Sequence, residues 1–371
     1  MFWENLPVEQ THLLDVFKQY RRPFSASVEL TRRCNNNCIH CYNNKPASDP
    51  SSLKREMSIK ELESFVEQAV ELDMLHVLLT GGEPLLRKDF QDIYMLFKRA
   101  GMLVSIFTNG IALTPSLIGF LEQYPPALVE LTVYGLTEET YESVTRVKGS
   151  FKRFMQAVRL LDKSKIKVNY KAVFLEQNKH EFDEIHSFCN ERSAIGYRFD
   201  IMVHNRTDFD SSRNNEIAKS KLNPSDALEL EKRDPKRSRS MEKYYDRVAS
   251  YDLDPESDDR LFTCGAGSKS IYVSADGIVH PCGSLMSERF SFSLREHRLE
   301  TIWNELIPAS LDVRAPKDYP CLTCSHRFMC DWCPAHADLD SGDLTSISEH
   351  TCEMTRLRME TLRIRRDSHS T

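Results

Sequence analysis

From Phe24 to about Val203 the chain alternates short apolar, β-prone runs with stretches of helical period. Six runs read as strands: SASVELT (25–31), LHVLLT (75–80), LVSIFT (103–108), LVELTVY (128–134), KVNYKAVF (167–174) and YRFDIMV (197–203). Near-continuous apolar runs of this kind suit parallel strands covered on both faces. Helix signals lie between them. Ser58-Ile59-Lys60-Glu61 reads as a capping box. Asp89 opens a second helix and Gly101 stops it. Thr114-Pro115 sets a cap and then proline at the first helical position. Thr137 and Ser150 are placed to cap two more. Strands alternating with helices predict a right-handed parallel α/β domain. Six units fall short of a closed eight-fold barrel, so the expectation is a partial (β/α)6 TIM-like barrel over 25–204, open on one side.

The flanking segments differ. Residues 1–24 are too few to fold alone and read as an N-terminal arm. Over 205–261 the chain turns polar, with RTDFDSSRNNE and KRDPKRSRSMEKYYDR, which predicts a bridging segment with a helix or two and a solvated charged face. SIYVSADGIVHPC reads as a hairpin turning at Ala275-Asp276-Gly277, inside a cysteine-rich region spanning 262–352. EMTRLRMETLRIRR (353–366) predicts a final helix within a tail of 353–371. Tyr244, Tyr245 and Trp303 are candidate substrate contacts, each with core packing as the plainer reading.

Composition narrows the function. With 371 residues the chain has enough material for a sizeable core. Lys and Arg total 49 against 55 Asp and Glu, a net charge of −6, which argues against a general binder of nucleic acid or anionic membrane. No apolar run reaches transmembrane length, and the charged start does not read as a signal peptide; the expected location is cytoplasmic. A reducing cytosol makes a disulfide framework a poor explanation for 11 cysteines, so metal is the first alternative.

The cysteines fall into groups. Cys34, Cys38 and Cys41 form C-x3-C-x2-C directly after the first strand, at the active face of an α/β barrel. Cys264, Cys282, Cys321, Cys324, Cys330, Cys333 and Cys352 crowd the C-terminal part, and Cys189 sits alone on an apparent helix as a small packed hydrophobe. Thiolates select zinc or iron–sulfur clusters. Structural zinc closes with four ligands, so sets of three and seven suit clusters better, although the paired C-x2-C steps keep one or two zinc sites open. Three thiolates bind three irons of a cube and leave the fourth iron free for a ligand.

The C-x3-C-x2-C motif, followed by Thr80-Gly81-Gly82-Glu83-Pro84 after the second strand, resembles the radical S-adenosylmethionine (SAM) superfamily. The resemblance implies a [4Fe–4S] cluster on Cys34, Cys38 and Cys41 whose open iron chelates SAM. It implies reductive cleavage of SAM to a 5′-deoxyadenosyl radical that abstracts hydrogen from substrate. Gly81, Gly82, Glu83 and Pro84 would meet the SAM ammonium. Thr108 and Asn109, at the end of the third strand, face the same site. Tyr134 stands where many members place Ser or Asp near the ribose and departs from that pattern. Lys171 and Arg198 would meet SAM from the fifth and sixth strands, with a barrel-lining or buried-pair role as the alternative. His40 and Tyr42 would shield the cluster. No residue is assigned as the group that reacts with substrate.

Cys264-x12-Gly277-x4-Cys282, Cys321-x2-Cys324-x5-Cys330-x2-Cys333 and Cys352 resemble the seven-cysteine SPASM extension, with two residues, Asp331 and Trp332, where three are common. By that resemblance Cys321, Cys324, Cys330 and Cys352 hold one auxiliary [4Fe–4S] cluster, and Cys264, Cys282 and Cys333 another. The clusters would pass an electron, bind substrate or hold the fold. The expected substrate is a ribosomally made precursor peptide, cross-linked or otherwise modified. A separate small leader-peptide recognition protein and an electron donor such as flavodoxin or ferredoxin are the implied partners, with neither nucleic acid nor membrane among them. The alternatives are a small-molecule enzyme (cofactor or haem pathway, or alcohol oxidation) and a sulfatase-maturing enzyme. The last is weakened because Gly283 follows Cys282 where an acidic residue is usual.

Overall fold

The computed structural model describes residues 21–249 and 259–369; of the arm expected over 1–24, only residues 21–24 are among them. Six parallel strands form its centre: β1 (Ser25–Thr31), β2 (His76–Gly81), β3 (Leu103–Thr108), β4 (Leu128–Val133), β5 (Val168–Val173) and β6 (Arg198–Asp200). They pair in chain order, each parallel to the next. Val28, Leu30, Val77, Leu79, Val104, Leu131 and Ala172 are all buried, as a two-sided apolar sheet requires. The helices α1 (Ile59–Glu71), α2 (Phe90–Arg99), α3 (Pro115–Gln123), α4 (Glu138–Thr145), α5 (Ser150–Asp162) and α6 (Phe182–Arg192) follow the strands and give an α/β architecture of the partial-barrel kind. Cys189 lies on α6, fully buried in the main core.

Most boundaries arise from the expected signals. The Ser58 hydroxyl accepts from the Glu61 amide at 3.3 Å, and the Glu61 carboxylate accepts from the Ser58 amide at 2.8 Å. Thr114 and Thr137 cap α3 and α4, and Gly101 follows α2 with φ +80°. Two caps differ. Asp89 leaves its helix uncapped because its carboxylate is taken by Arg87, at 2.7 and 2.8 Å. Gly149, with φ +78°, caps α5 in place of Ser150, whose hydroxyl bonds the Thr145 hydroxyl at 2.7 Å.

Three larger differences shape the site. The sixth strand is three residues long, not seven. The expected hairpin, β7 (Ser270–Val273) and β8 (Ile278–His280), joins the main sheet, with β7 parallel to β1 and β8 continued by β9 (Phe292–Ser293). The result is a nine-stranded sheet in the order β9-β8-β7-β1-β2-β3-β4-β5-β6. The polar stretch after Asn205 contains three helices, α7 (Ser211–Ser220), α8 (Pro224–Arg233) and α9 (Pro235–Ala249), with Ile217, Leu222, Ala227 and Leu230 buried.

Helix α10 (Pro334–Ser341) follows the cysteine quartet, and the final helix α11 (Glu349–His369) begins earlier than expected, so Cys352 lies in its first turn. Helix α11 is bound to α8 by a buried ion pair: Arg358 donates from Nε and Nη2 to Glu231 at 2.8 and 2.7 Å, and also to Asp331. Arg237 joins Glu231 at 2.7 Å and donates to the Phe199 carbonyl of β6 at 2.9 Å. One buried carboxylate thus connects α8, α9, α11 and the loop of the quartet. Trp303 is fully buried and its indole donates to the Arg21 carbonyl, which makes it core. Among the described residues no helix is long and apolar enough to cross a membrane.

Candidate active site at the barrel mouth

The loop after β1 starts from a two-residue ladder, Arg33–Cys34 with Lys45–Pro46, and packs onto the end of α4 through Asn37 N to Thr145 O and Ile39 N to Val144 O, both 2.9 Å. Cys34, Cys38 and Cys41 sit on it, the first two buried and the third half-buried. Burial pushes up all three thiols, that of Cys38 to about 12, and the neighbouring cysteines add to the effect at Cys34 and Cys38. Such thiols stay protonated at neutral pH unless a cation takes the charge of the thiolate. Donors already face the sulfurs. Asn36 N lies 3.4 Å and Asn109 Nδ2 3.6 Å from Cys34 Sγ, and the Tyr134 hydroxyl bonds Cys38. Asn36 is 4% exposed, yet neither polar atom of its side-chain amide has a partner among the described residues. A cavity of about 540 Å³ opens beside this loop, lined by Cys34, Asn36, Lys45, Arg206 and Arg213 among others. Two buried thiols and a half-buried third, donors on the sulfurs and an orphaned amide suit a thiolate-ligated cluster. No three His, Cys, Asp or Glu side chains among the described residues converge on a single-ion position.

The glycines of the GGEP segment explain how β2 meets this loop. Gly82 N donates to Thr31 O at 2.7 Å and Glu83 N to Arg33 O at 2.9 Å. A Cβ on Gly82 would lie 2.5 Å from Arg33 O, and one on Gly81, at φ +141°, 2.2 Å from Thr31 O. The glycines are needed for close approach to the cysteine loop itself. Gly82→Ala is expected to cost about 3 kcal/mol and to lower the iron bound after reconstitution; denaturant melts with iron analysis check this, and a variant with unchanged stability and iron contradicts it.

Glu83 is fully buried. It accepts from Thr108 Oγ1 at 2.7 Å, Asn109 N at 2.8 Å and Leu85 N at 3.1 Å, and burial raises its pKa to about 7. Three of the four acceptor positions of the carboxylate are filled by the protein, so one remains on Oε2. Pro84, itself buried, starts a 3-10 turn after it. Asn109 also bonds Asn35 at 2.8 Å, tying β3 to the cysteine loop. Opposite, Lys171 Nζ lies 4.2 Å from the Phe107 ring centre, with burial lowering its pKa, and Arg198 reaches Glu130 at 3.2 Å. Tyr134 packs against His40 and Tyr141. The barrel mouth thus offers one spare carboxylate acceptor on Glu83, and the neighbouring strand β5 carries the half-buried ammonium of Lys171. That suits the amino-acid end of SAM, which carries an ammonium and a carboxylate.

The C-terminal thiols separate into two sets. Cys282 is raised to about 11 by burial, with Cys333 and Cys264 near enough to add to the shift. Cys352 is raised by burial and then by Cys330, Cys321 and Cys324. Thr355 donates to Cys330 Sγ at 3.4 Å.

Several supporting residues have no local signature. Glu29 of β1, buried, accepts from Asn43 and, at 3.4 Å, from Ala275 N in the hairpin turn, while Cys41 donates to Asn43 Oδ1 at 3.7 Å. An acid in the middle of SASVELT was the available hint. Arg206 and Arg213 reach the carbonyls of Cys41 and Cys38 from a segment that composition alone marks as solvated. Tyr42, His204 and His336 form an aromatic row from the cysteine loop toward Cys333, His204 and His336 stacking at 4.7 Å.

Two family models match the chain. Residues 28–189 match the radical SAM superfamily, and residues 264–326 match the iron–sulfur cluster-binding SPASM domain. The chain carries a radical SAM domain followed by a SPASM domain. The two domains imply a [4Fe–4S] cluster with SAM, plus auxiliary clusters. The chain is 24% identical over 335 residues to the AdoMet-dependent heme synthase of Methanosarcina barkeri, covering 85% of this chain and 92% of that protein. It is 26% identical over 324 residues to the antilisterial bacteriocin subtilosin biosynthesis protein AlbA of Bacillus subtilis, covering 85% of this chain and 66% of AlbA, just under two thirds. In fold it is similar to Streptococcus suis SuiB bound to its precursor peptide SuiA, with a TM-score of 0.65 at 18% identity, covering 93% of this chain and 80% of SuiB.

Proposed function

We propose that this radical SAM/SPASM enzyme modifies a ribosomally made precursor peptide. The observation that carries the radical chemistry is the set of three thiols on one short loop, two buried and one half-buried, pinned by Gly82 and Glu83 to the next strand. Cys34, Cys38 and Cys41 would hold the SAM-binding cluster; Cys321, Cys324, Cys330 and Cys352 one auxiliary cluster; and Cys264, Cys282 and Cys333 the other. The cluster and SAM, when bound, supply a 5′-deoxyadenosyl radical that takes a hydrogen atom from substrate. Glu83 would offer its spare acceptor to the SAM ammonium beside Gly81, Gly82 and Pro84. Lys171 and Arg198 would face the carboxylate. Thr108 and Asn109 hold Glu83 in place, and Tyr134 would close the site over Cys38.

The peptide reading is supported by the likeness to AlbA, a bacteriocin biosynthesis protein. A tetrapyrrole substrate is the second reading, favoured by the match to a heme synthase along 92% of that protein. One experiment separates them. Reconstituted enzyme with SAM and reductant is expected to form 5′-deoxyadenosine and to change the mass of a short peptide encoded beside its gene. Deoxyadenosine coupled to decarboxylation of an added iron-porphyrin carboxylate, with every peptide unchanged, favours the second reading and overturns the first.

A further inference from the structure

The segment after β6 takes hold of the cysteine loop at two points. Arg206, 2% exposed, donates from Nη1 to the Cys41 carbonyl at 2.9 Å. It also donates to Asn44 Oδ1 at 2.9 Å and Asn44 O at 3.1 Å. Thr207 N adds a bond to Tyr42 O at 2.9 Å. Arg213, in the first turn of α7, donates from Nη2 to the Cys38 carbonyl at 3.0 Å. Both arginines therefore meet the loop on the carbonyls of proposed ligand cysteines.

Their charges are handled differently. Arg206 is matched by Asp208, which receives Nε and Nη2 in a fork at 2.8 Å each. Asp208 also meets Lys45 Nζ at 2.7 Å. Arg213 shares one partner, Glu216, at 3.3 Å, and Glu216 is itself held by Arg146 at 2.8 Å. Glu216 faces solvent more than Arg213 does, with side chains 39% and 19% exposed. Each arginine shares its carboxylate with a second cation, and the pairing of Arg213 is the looser one: its contact is longer, and Glu216 is 39% exposed against 23% for Asp208.

We propose that Arg206 and Arg213 are positioning residues for the cluster on Cys34, Cys38 and Cys41, Arg206 fixing the loop and Arg213 raising the reduction potential through its charge. The inference rests on the ligand assignment proposed above. Reduction adds a negative charge to a cluster, so a fixed cation beside it favours the reduced state. Where solvent is excluded that effect is weakly screened.

The test is a redox titration of the full-length reconstituted protein, followed on the EPR signal that SAM perturbs. Arg213→Gln is expected to move the midpoint to a more negative potential, and Arg213→Lys to leave it close to wild type. Asp208→Asn uncovers the charge of Arg206 and is expected to move it the opposite way. Opposite shifts are something a merely structural role would not produce. Unchanged midpoints, shifts of the same sign, or loss of the signal from every variant overturn the proposal. Iron content and the response to SAM of wild-type protein are read in the same samples. If these are absent, the ligand assignment fails; if they are present with unmoved midpoints, the arginine proposal alone fails.

Discussion

Replacing Cys34, Cys38 and Cys41 together by alanine is expected to reduce 5′-deoxyadenosine formation to the level of an enzyme-free control. The three residues share one loop; Cys34 and Cys38 are buried, with donors from Asn36 and Asn109 on Cys34 and from Tyr134 on Cys38, and Cys41 is half-buried. Without them nothing at the barrel mouth offers soft ligands to a cluster. The seven C-terminal cysteines lie in separate sets, so the variant should keep roughly two thirds of its iron, the share of two cubes in three. The nine-stranded sheet does not depend on the thiols and should remain, as far-ultraviolet circular dichroism would show. A variant that still cleaves SAM, or that loses all its iron, contradicts the arrangement.

Arg358→Met is expected to be the most destabilising single change outside the thiols, at about 4 kcal/mol. Arg358 and Glu231 are both buried, and Glu231 is 1% exposed. Removing the arginine leaves a carboxylate in the core with Arg237 as its remaining ion partner. The cost comes from the stranded charge more than from the lost attraction. Arg358→Met/Glu231→Leu should therefore be more stable than Arg358→Met alone, because both charges leave together. Asp331 lies between Cys330 and Cys333, so the single variant should also bind iron less well in its auxiliary sets. Denaturant unfolding of the two variants checks the order; a double variant less stable than the single one refutes it.

The six barrel strands were legible because each is an apolar run bounded by helix signals, and burial on both faces writes itself into local composition. SASVELT and LVSIFT became β1 and β3 over the same residues. The cysteine spacings and the GGEP segment were legible for a different reason, since few residue types do their chemistry. What the pattern missed depends on partners far along the chain. Arg206 is buried because Asn44 and the Cys41 carbonyl, more than 160 residues away, satisfy its guanidinium. Charge content alone made its segment look solvated. Glu231 was hidden in the same way, since its partner Arg358 is 127 positions distant. The hairpin turn was readable, but not that β7 would pair with β1, because nothing in a short strand specifies which edge it joins.

The central claim is that Cys34, Cys38 and Cys41 hold a cluster with one iron left for SAM. Its most direct test is to reconstitute the protein without oxygen, measure iron and sulfide, and record the EPR spectrum of the reduced protein before and after adding SAM. The expected result is about ten or more irons per chain and a spectrum that changes with SAM in the wild type but not in the triple-alanine variant. Zinc in place of iron, or a spectrum indifferent to SAM, would contradict it.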